Sequence, residues 1–221
     1  MPLPPLSSEE WKVLAEVVAA AVALATLVVT LSSSVFEYRR RGAQRRFQHF
    51  LVMRRRFKGN KKFRDICDLL EKETVAITKL RVLLRQKERT DLLDLFDRVA
   101  KKQAMFQALC DAFDQEQDAE LKTAFDFVKR PCLAIDEVPF KERRDFLGFF
   151  EEIALMTNTR LISLRIAHYM FGYYAIQCWK SLVFWSNLQR ESDYWSLFRD
   201  FAGQMEKVQK VFEYKRTRFR F

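Results

Sequence analysis

The segment between Glu16 and Glu37 contains no charged residue, and this run most constrains how the chain folds. It reads VVAAAVALATLVVTLSSSVF. A helix rises about 1.5 Å per residue, so roughly 20 residues match a hydrocarbon layer about 30 Å thick. Its polar side chains are hydroxyls, which bond to the backbone of their own helix and are tolerated in lipid. The sequence predicts a single transmembrane helix over residues 17–37.

Two other structures use apolar runs of this kind, a buried core helix and a cleaved signal peptide. A core helix would carry a polar face, whereas the polar residues here are only Thr26, Thr30 and the serines at 32–34. A signal peptide has a basic start and an apolar region of about 7–15 residues. Glu9 and Glu10 precede this longer run. A retained anchor therefore fits the sequence better than either alternative.

Basic residues follow the apolar run directly. The stretch from Arg39 to Arg64 holds twelve basic residues and no acidic one, while acidic residues slightly outnumber basic ones elsewhere. Since Lys and Arg mark the cytoplasmic side, we expect an inner-membrane protein with its N-terminus outside and its C-terminal domain in the cytoplasm. Each such residue near an anionic leaflet contributes about 1 kcal/mol. The predicted contacts to anionic lipid headgroups are Arg39, Arg40, Arg41, Arg45, Arg46, Arg54, Arg55 and Arg56.

Turn-forming residues are scarce, with 5 Gly and 5 Pro in 221 residues. Long helices joined by few loops are the expected result, so the predicted fold class is all-α. The N-terminal transmembrane helix should continue into a cytoplasmic helical bundle. The predicted parts are a short extracytoplasmic N-terminus (1–16), the transmembrane helix (17–37), a basic juxtamembrane helix (38–64), the bundle (65–213) and a basic, aromatic tail (214–221).

Breaks in apolar periodicity predict where the helices end. The first helix should continue to Gly59-Asn60, where two helix-breaking residues stand together. Pro131 should close one helix, because proline lacks the N–H that a helix interior needs. Gly172 lies inside an aromatic-rich segment that is one kinked helix or two. The predicted helical segments after the first are 63–86, 90–115, 119–129, 140–156, 161–190 and 194–212.

An apolar stripe persists among the arginines of the first helix, at Phe36, Ala43, Phe47, Phe50, Leu51 and Phe57. The stripe either docks onto the protein's own C-terminal helices or forms a seam between copies of the protein. In a ring of protomers the stripe could make both contacts at once, one within the protein and one between copies.

The sequence contains no catalytic motif that would indicate a particular reaction. Phosphate-binding loops, a GxSxG elbow and an HExxH motif are absent from it, and the four cysteines form no CxxC pair. An RNA-cleaving helical domain of the HEPN type needs an arginine and a histidine with four to six residues between them. Arg45 and Arg165 lie too close to His49 and His168, respectively. We therefore expect no enzyme activity, no catalytic, cofactor-binding or metal-binding residues, and no cofactor.

Several segments together resemble a known family: the apolar span followed by YRRRGAQRRF, then RRDFLGFFEEIALM, YMFGYYAIQCWKSL, and Arg190 before YWSLFRDF. They are similar to a bacterial family of uncharacterised single-pass membrane proteins. The likeness does not extend over residues 72–131, and Gly148 stands where that family often has Asn. The resemblance implies a helical cytoplasmic domain packed back onto the anchor and brings no catalytic residues. It marks Glu152, Trp179 and Arg190 as structural or interaction positions.

Three functions remain open from the sequence. The first is a membrane-anchored, non-enzymatic helical interaction or scaffold protein that binds anionic lipids, copies of itself and an unidentified protein partner. The second is a ring-forming or pore-forming membrane effector, because the layout resembles the small membrane accessory protein of type VI-B CRISPR systems. The third is an RNA-binding or degenerate HEPN-like protein, which the charge distribution does not favour.

Overall fold

The computed structural model describes residues 8–101 and 106–211, and within these ranges the chain forms helices and no strand. The predicted all-α class is confirmed for this part of the chain. The first helices are α1 (Ser8–Gly59), α2 (Lys61–Gln86), α3 (Thr90–Lys101), α4 (Phe106–Asp114) and α5 (Ala119–Asp136). The remaining helices are α6 (Phe140–Asn158), α7 (Leu164–Ala167), α8 (Tyr173–Lys180) and α9 (Ser196–Val211). A π-helical turn (His168–Gly172) joins α7 to α8, and a 3-10 turn (Asp193–Trp195) precedes α9.

The chain divides into two compact units, one ending at His49 and the other beginning at Phe50. In the first unit the described residues form α1, and the second unit is a bundle made by the end of α1 and helices α2–α9. Among the described residues, no helix combines the length and the apolarity needed to cross a membrane. Within the predicted transmembrane segment 17–37, the side chains of residues 17–20, 23 and 34–36 lie outside the described set.

Phe57, near the end of α1, lies in the centre of the bundle core. Its ring centroid is 5.0 Å from that of Phe149 and 5.4 Å from that of Phe171. Phe50 is also buried and has an edge contact with Phe171. Asn60 then ends the helix and caps α2, because its side-chain oxygen accepts from the amides of residues 62 and 63. For Phe50 and Phe57, docking of the stripe onto the protein's own bundle is confirmed, as is the end of the first helix at Gly59.

Helix α5 contradicts the predicted stop at Pro131, because it continues to Asp136 with Pro131 inside it. A proline costs about 3 kcal/mol in a helix interior. The same helix buries a regular stripe that packs against α2 and extends beyond the proline. Each fully buried apolar side chain contributes about 1.5–3 kcal/mol, so tertiary packing outweighs the proline here. The buried stripe consists of Leu121, Phe125, Val128, Cys132 and Ile135.

The aromatic segment 161–190 is helical only from Leu164 to Lys180. The predicted interruption near Gly172, as one kinked helix or two, is present as the π-helical turn that ends there, but the predicted extension to Arg190 is wrong. The chain becomes extended at Ser181 and makes tight turns, in which Asn187 and Gln189 have positive φ angles. Indole N–H groups secure these turns, since Trp185 donates to the Cys178 carbonyl.

Gly172 allows the π-helical turn to pack closely. A Cβ atom at this position would lie 2.6 Å from Cδ2 of His168 and 3.2 Å from Sδ of Met205 in α9. His168 is itself buried, so its ring has little room to move. The absence of a side chain at Gly172 therefore determines how closely the turn approaches its neighbours.

Replacing Gly172 with alanine should lower the free energy of unfolding by about 1–3 kcal/mol, because the added methyl group overpacks this contact. Gly148→Ala is the matched control, since a Cβ at Gly148 has no neighbour within 4 Å. Gly148 lies inside α6, so this change should raise stability by about 0.5–1 kcal/mol. Urea denaturation followed by circular dichroism measures both variants. Equal effects at the two glycines would contradict the packing argument.

Candidate functional site

The described part of the apolar segment in α1 is exposed on every face. Residues 21, 22 and 24–33 are all exposed, and the large apolar side chains among them have 54–67% of their surface accessible. Those side chains are Val22, Leu24, Leu27, Val28, Val29 and Leu31. This stretch therefore has no polar face to turn toward water and no buried face to turn toward a core.

Hydroxyl groups in this segment bond to their own helix. Thr26 donates to the Val22 carbonyl at 2.7 Å, and Ser33 donates to the Val29 carbonyl at 2.8 Å. Thr30 donates to the Thr26 carbonyl at 2.8 Å. The protons of these three hydroxyls are thus paired without water, as an apolar environment requires.

The predicted lipid-contacting arginines divide into two groups. The side chains of Arg39, Arg40, Arg41, Arg45 and Arg46 lie outside the described residues. Arg54 and Arg55 are exposed near the end of α1. Arg56 is also exposed, but its Nη1 donates to Oε2 of Glu152 at 2.6 Å. One of the arginines predicted to contact lipid is therefore paired with one of the predicted interaction residues.

Arg56 and Glu152 border a polar cavity of about 510 Å³ between α1, α6 and the 3-10 turn. Their ion pair is half exposed, so it contributes at most about 1 kcal/mol. Glu151, beside Glu152, also lines this cavity, and burial raises the pKa of its carboxyl group. The sequence could not show this pairing, because 96 positions separate Arg56 from Glu152.

Trp179 and Arg190 contact each other. The guanidinium carbon of Arg190 lies 4.0 Å from the centroid of the Trp179 ring, a cation–π geometry. Trp179 in turn packs against the rings of Trp185 and Phe198. Burial lowers the pKa of Arg190, while Glu191 opposes this shift. The structure thus brings together two of the three predicted interaction residues and places Glu152 elsewhere.

Glu73, in the middle of α2, is almost fully buried. Its Oε1 accepts from the Leu182 amide at 2.7 Å and from the Cys132 thiol at 3.6 Å. The Ser181 hydroxyl also bonds to this carboxylate. Burial raises the pKa of Glu73 from 4.5 to about 6, although these hydrogen bonds oppose the shift. Glu73 therefore holds the chain just after α8 ends, because its carboxylate accepts a hydrogen bond from the Leu182 amide.

Ionisation of buried Glu73 should make stability depend on pH. Its pKa is higher in the folded state, so its favourable contribution is complete below pH 4.5 and is lost as pH rises through about 6. The loss amounts to about 2 kcal/mol in the free energy of unfolding. Glu73→Gln keeps an oxygen acceptor but cannot ionise, so its stability should change less over this range.

Urea denaturation at a series of pH values measures the difference between wild type and Glu73→Gln. Glu71→Gln, at an exposed position of the same helix, is the control and should retain the wild-type pH profile. If Glu73→Gln followed the wild-type profile as closely as Glu71→Gln does, the assignment of this pH dependence to Glu73 would be wrong.

A cavity of about 600 Å³ lies beside Glu73, between α2, α3, α8 and the segment after α8. Gln177 of α8 lines this cavity and is 5% exposed. Neither Nε2 nor Oε1 of Gln177 has a hydrogen-bond partner among the described residues. An unpaired buried polar group costs about 1–3 kcal/mol, so this side chain reduces the stability of the fold. The cationic residues at the cavity are Arg81, Lys180 and Arg190.

Arg143 of α6 holds the segment that forms one wall of this cavity. It is 3% exposed, and its Nη1 donates to the Phe184 carbonyl at 2.9 Å and to the Ser186 carbonyl at 3.0 Å. The Ser186 hydroxyl also bonds to Asp136 at the end of α5. The loop after α8 is consequently tied to α2 by Glu73 and to α6 by Arg143.

Reactive side chains in the bundle are buried in ways that suppress their chemistry. Burial raises the pKa values of the Cys67, Cys132 and Cys178 thiols far above their ordinary value, so these thiols are protonated at neutral pH. Burial also lowers the pKa of His168. The described residues contain no cluster of three or more His, Cys, Asp or Glu side chains placed to hold a metal ion.

Sequence reasoning missed Glu73, Arg143 and Gln177, although each carries a recognisable signal. Glu73 follows Leu70 by three positions and precedes Leu80 by seven, so it lies on the apolar stripe of α2. Arg143 precedes Phe146 by three positions and Phe150 by seven, so it lies on the buried stripe of α6. Gln177 lies within an aromatic-rich run. A polar residue on an apolar face indicates a buried interaction. The partner of each group still had to come from the structure.

No family model, curated protein or solved structure matches this chain. The likeness to uncharacterised single-pass membrane proteins therefore stays a prediction.

Proposed function

We propose that this protein is a membrane-anchored, non-enzymatic helical interaction protein that self-associates beneath the inner membrane. Segment 17–37 is its anchor, the N-terminus lies outside, and the bundle lies in the cytoplasm. Its partners are anionic lipids, other copies of the chain and a further protein partner. The exposed apolar surface of α1 is the observation that carries this proposal.

The exposed surface of α1 supports an apolar environment around this helix. Burial of a Val or Leu side chain is worth about 1.5–3 kcal/mol, so six such side chains in water would be strongly unfavourable. Soluble monomers rarely expose a continuous apolar patch of this kind. The self-paired hydroxyls of Thr26, Thr30 and Ser33 remove the need for water at the polar positions.

Small residues on one face of the same segment support self-association. Ala21 and Ala25 are exposed and one helical turn apart, and Ser32 follows on that face. Small side chains at this spacing let helix backbones approach closely in lipid, where packing drives association. Copies of the anchor would then contact one another along this face.

Self-association should weaken when this face is enlarged. In the double variant Ala21→Leu, Ala25→Leu, the added side chains separate the helices, and dimerisation should weaken by at least about tenfold. Val22→Leu with Val29→Leu is the matched control, because these residues lie on an adjacent face and change little in size. Light scattering in detergent gives the protein mass, which for wild type should be a multiple of 26.4 kDa.

A wild-type chain that is strictly monomeric at micromolar concentration would contradict self-association. A chain that stays dispersed without detergent would contradict the anchor itself. Dye leakage from vesicles containing the wild-type chain, lost in the Ala21→Leu, Ala25→Leu variant, would instead favour the pore-forming alternative.

Lipid preference should depend on Arg54 and Arg55. The double variant Arg54→Gln, Arg55→Gln should copurify with less anionic lipid, since each arginine near the leaflet contributes about 1 kcal/mol. Arg144→Gln removes an exposed charge from α6 and serves as the control. Lipid mass spectrometry of the detergent-purified proteins measures the ratio of anionic to zwitterionic lipid. An unchanged ratio in the double variant would show that these two arginines do not select lipids.

A further inference from the structure

We propose that the cavity beside Glu73 and Gln177 binds a mononucleotide, with an adenine base and a phosphate group as the recognised features. The proposal concerns the bundle alone and does not depend on how the chain is attached to a membrane. Its main support is the unpaired amide of Gln177 at a cavity bordered by three cationic side chains.

Gln177 indicates a ligand with a hydrogen-bond donor and an acceptor side by side. Its carboxamide offers a carbonyl acceptor and an NH₂ donor, and both are buried without partners among the described residues. Buried polar groups in native proteins are nearly always paired. An adenine base presents adjacent N6 donor and N7 acceptor groups, which glutamine pairs with in a bidentate manner.

The cationic side chains at the cavity outnumber its two carboxylates, Glu73 and Asp97, and so indicate an anionic group on the same ligand. Arg81 uses its Nη2 to donate to Asp97 at 2.6 Å, and its buried Nε has no partner among the described residues. Since a guanidinium carries five N–H donors, Arg81 keeps donors beyond the one that Asp97 accepts. Lys180 and Arg190 add positive charge, although Lys180 is also paired with Glu206 and Arg190 with Glu191.

The uncharged wall and the size of the cavity suit a flat ring. Ile77, Phe96, Tyr173, Ile176 and Leu182 line it, and its volume of about 600 Å³ lies within the range of small-molecule sites, about 300–1,000 Å³. An aromatic base would pack against this wall while its phosphate reaches the arginines. These three features together describe a nucleotide better than a simple anion or a purely apolar ligand.

Isothermal titration calorimetry with the full chain in detergent tests this site, with AMP, adenosine and inorganic phosphate as probes. AMP should bind, and adenosine and phosphate should each bind at least about tenfold more weakly, because each makes only part of the contacts. Gln177→Leu should weaken AMP binding by about tenfold or more. Gln86→Leu, at an exposed position of α2 outside the cavity, is the matched control and should bind as wild type does.

Thermal denaturation of the same variants separates a binding role from a structural one. Because the Gln177 amide is unpaired in the unbound protein, Gln177→Leu should unfold at an equal or higher temperature than wild type. AMP should raise the unfolding temperature of wild type and of Gln86→Leu, but raise that of Gln177→Leu much less.

Three results would each overturn the proposal. One is the absence of AMP binding to folded wild-type protein at millimolar concentration. Another is undiminished AMP binding to Gln177→Leu. A third is phosphate binding as tight as that of AMP, which would show an unspecific anion site in place of a nucleotide site.

Discussion

The carboxylate of Glu73 connects more of the bundle than any other polar group described above. It lies on the buried stripe of α2, yet it accepts the Leu182 amide immediately beyond α8. Because α8 ends there, the following residues form the loop that Arg143 then ties to α6. This loop contains Trp185 and Arg190, whose guanidinium contacts Trp179, and it forms one wall of the cavity.

Burying a polar group costs free energy unless hydrogen bonds offset the loss of water. In this bundle some buried polar groups have such bonds and others do not. Glu73 receives several hydrogen bonds, and Arg143 donates to two carbonyls and a hydroxyl. The side-chain amide of Gln177 has no hydrogen-bond partner among the described residues. A fold selected only for stability would place an apolar residue there, since replacing an unpaired polar group by an apolar one is neutral or favourable. This contrast is why Gln177 suggests a role in binding.

The sequence predicted the parts of this fold that depend on local pattern. The all-α class, the end of the first helix at Gly59 and the interruption of the aromatic segment near Gly172 all follow from turn-former scarcity and helix breakers. Pro131 and the end of α8 were predicted wrongly, because packing against α2 in the first case and a bond from Glu73 in the second decide the outcome. The Arg56–Glu152 and Trp179–Arg190 contacts could not be paired from sequence alone, since nothing local relates their positions.

The π-helical turn from His168 to Gly172 also sets the rotational phase of the helix that follows it. Successive residues of an α-helix are turned by about 100° around its axis, and a π-helical turn contains one residue more than an α-helical one. A residue added to a regular α-helix would rotate every later side chain by roughly a quarter of a revolution, whereas the wider π-helical turn takes up that residue within one revolution. Gln177 and Trp179 therefore keep the orientation that an uninterrupted α-helix would give them, and deleting the extra residue would leave both directed at their present surroundings.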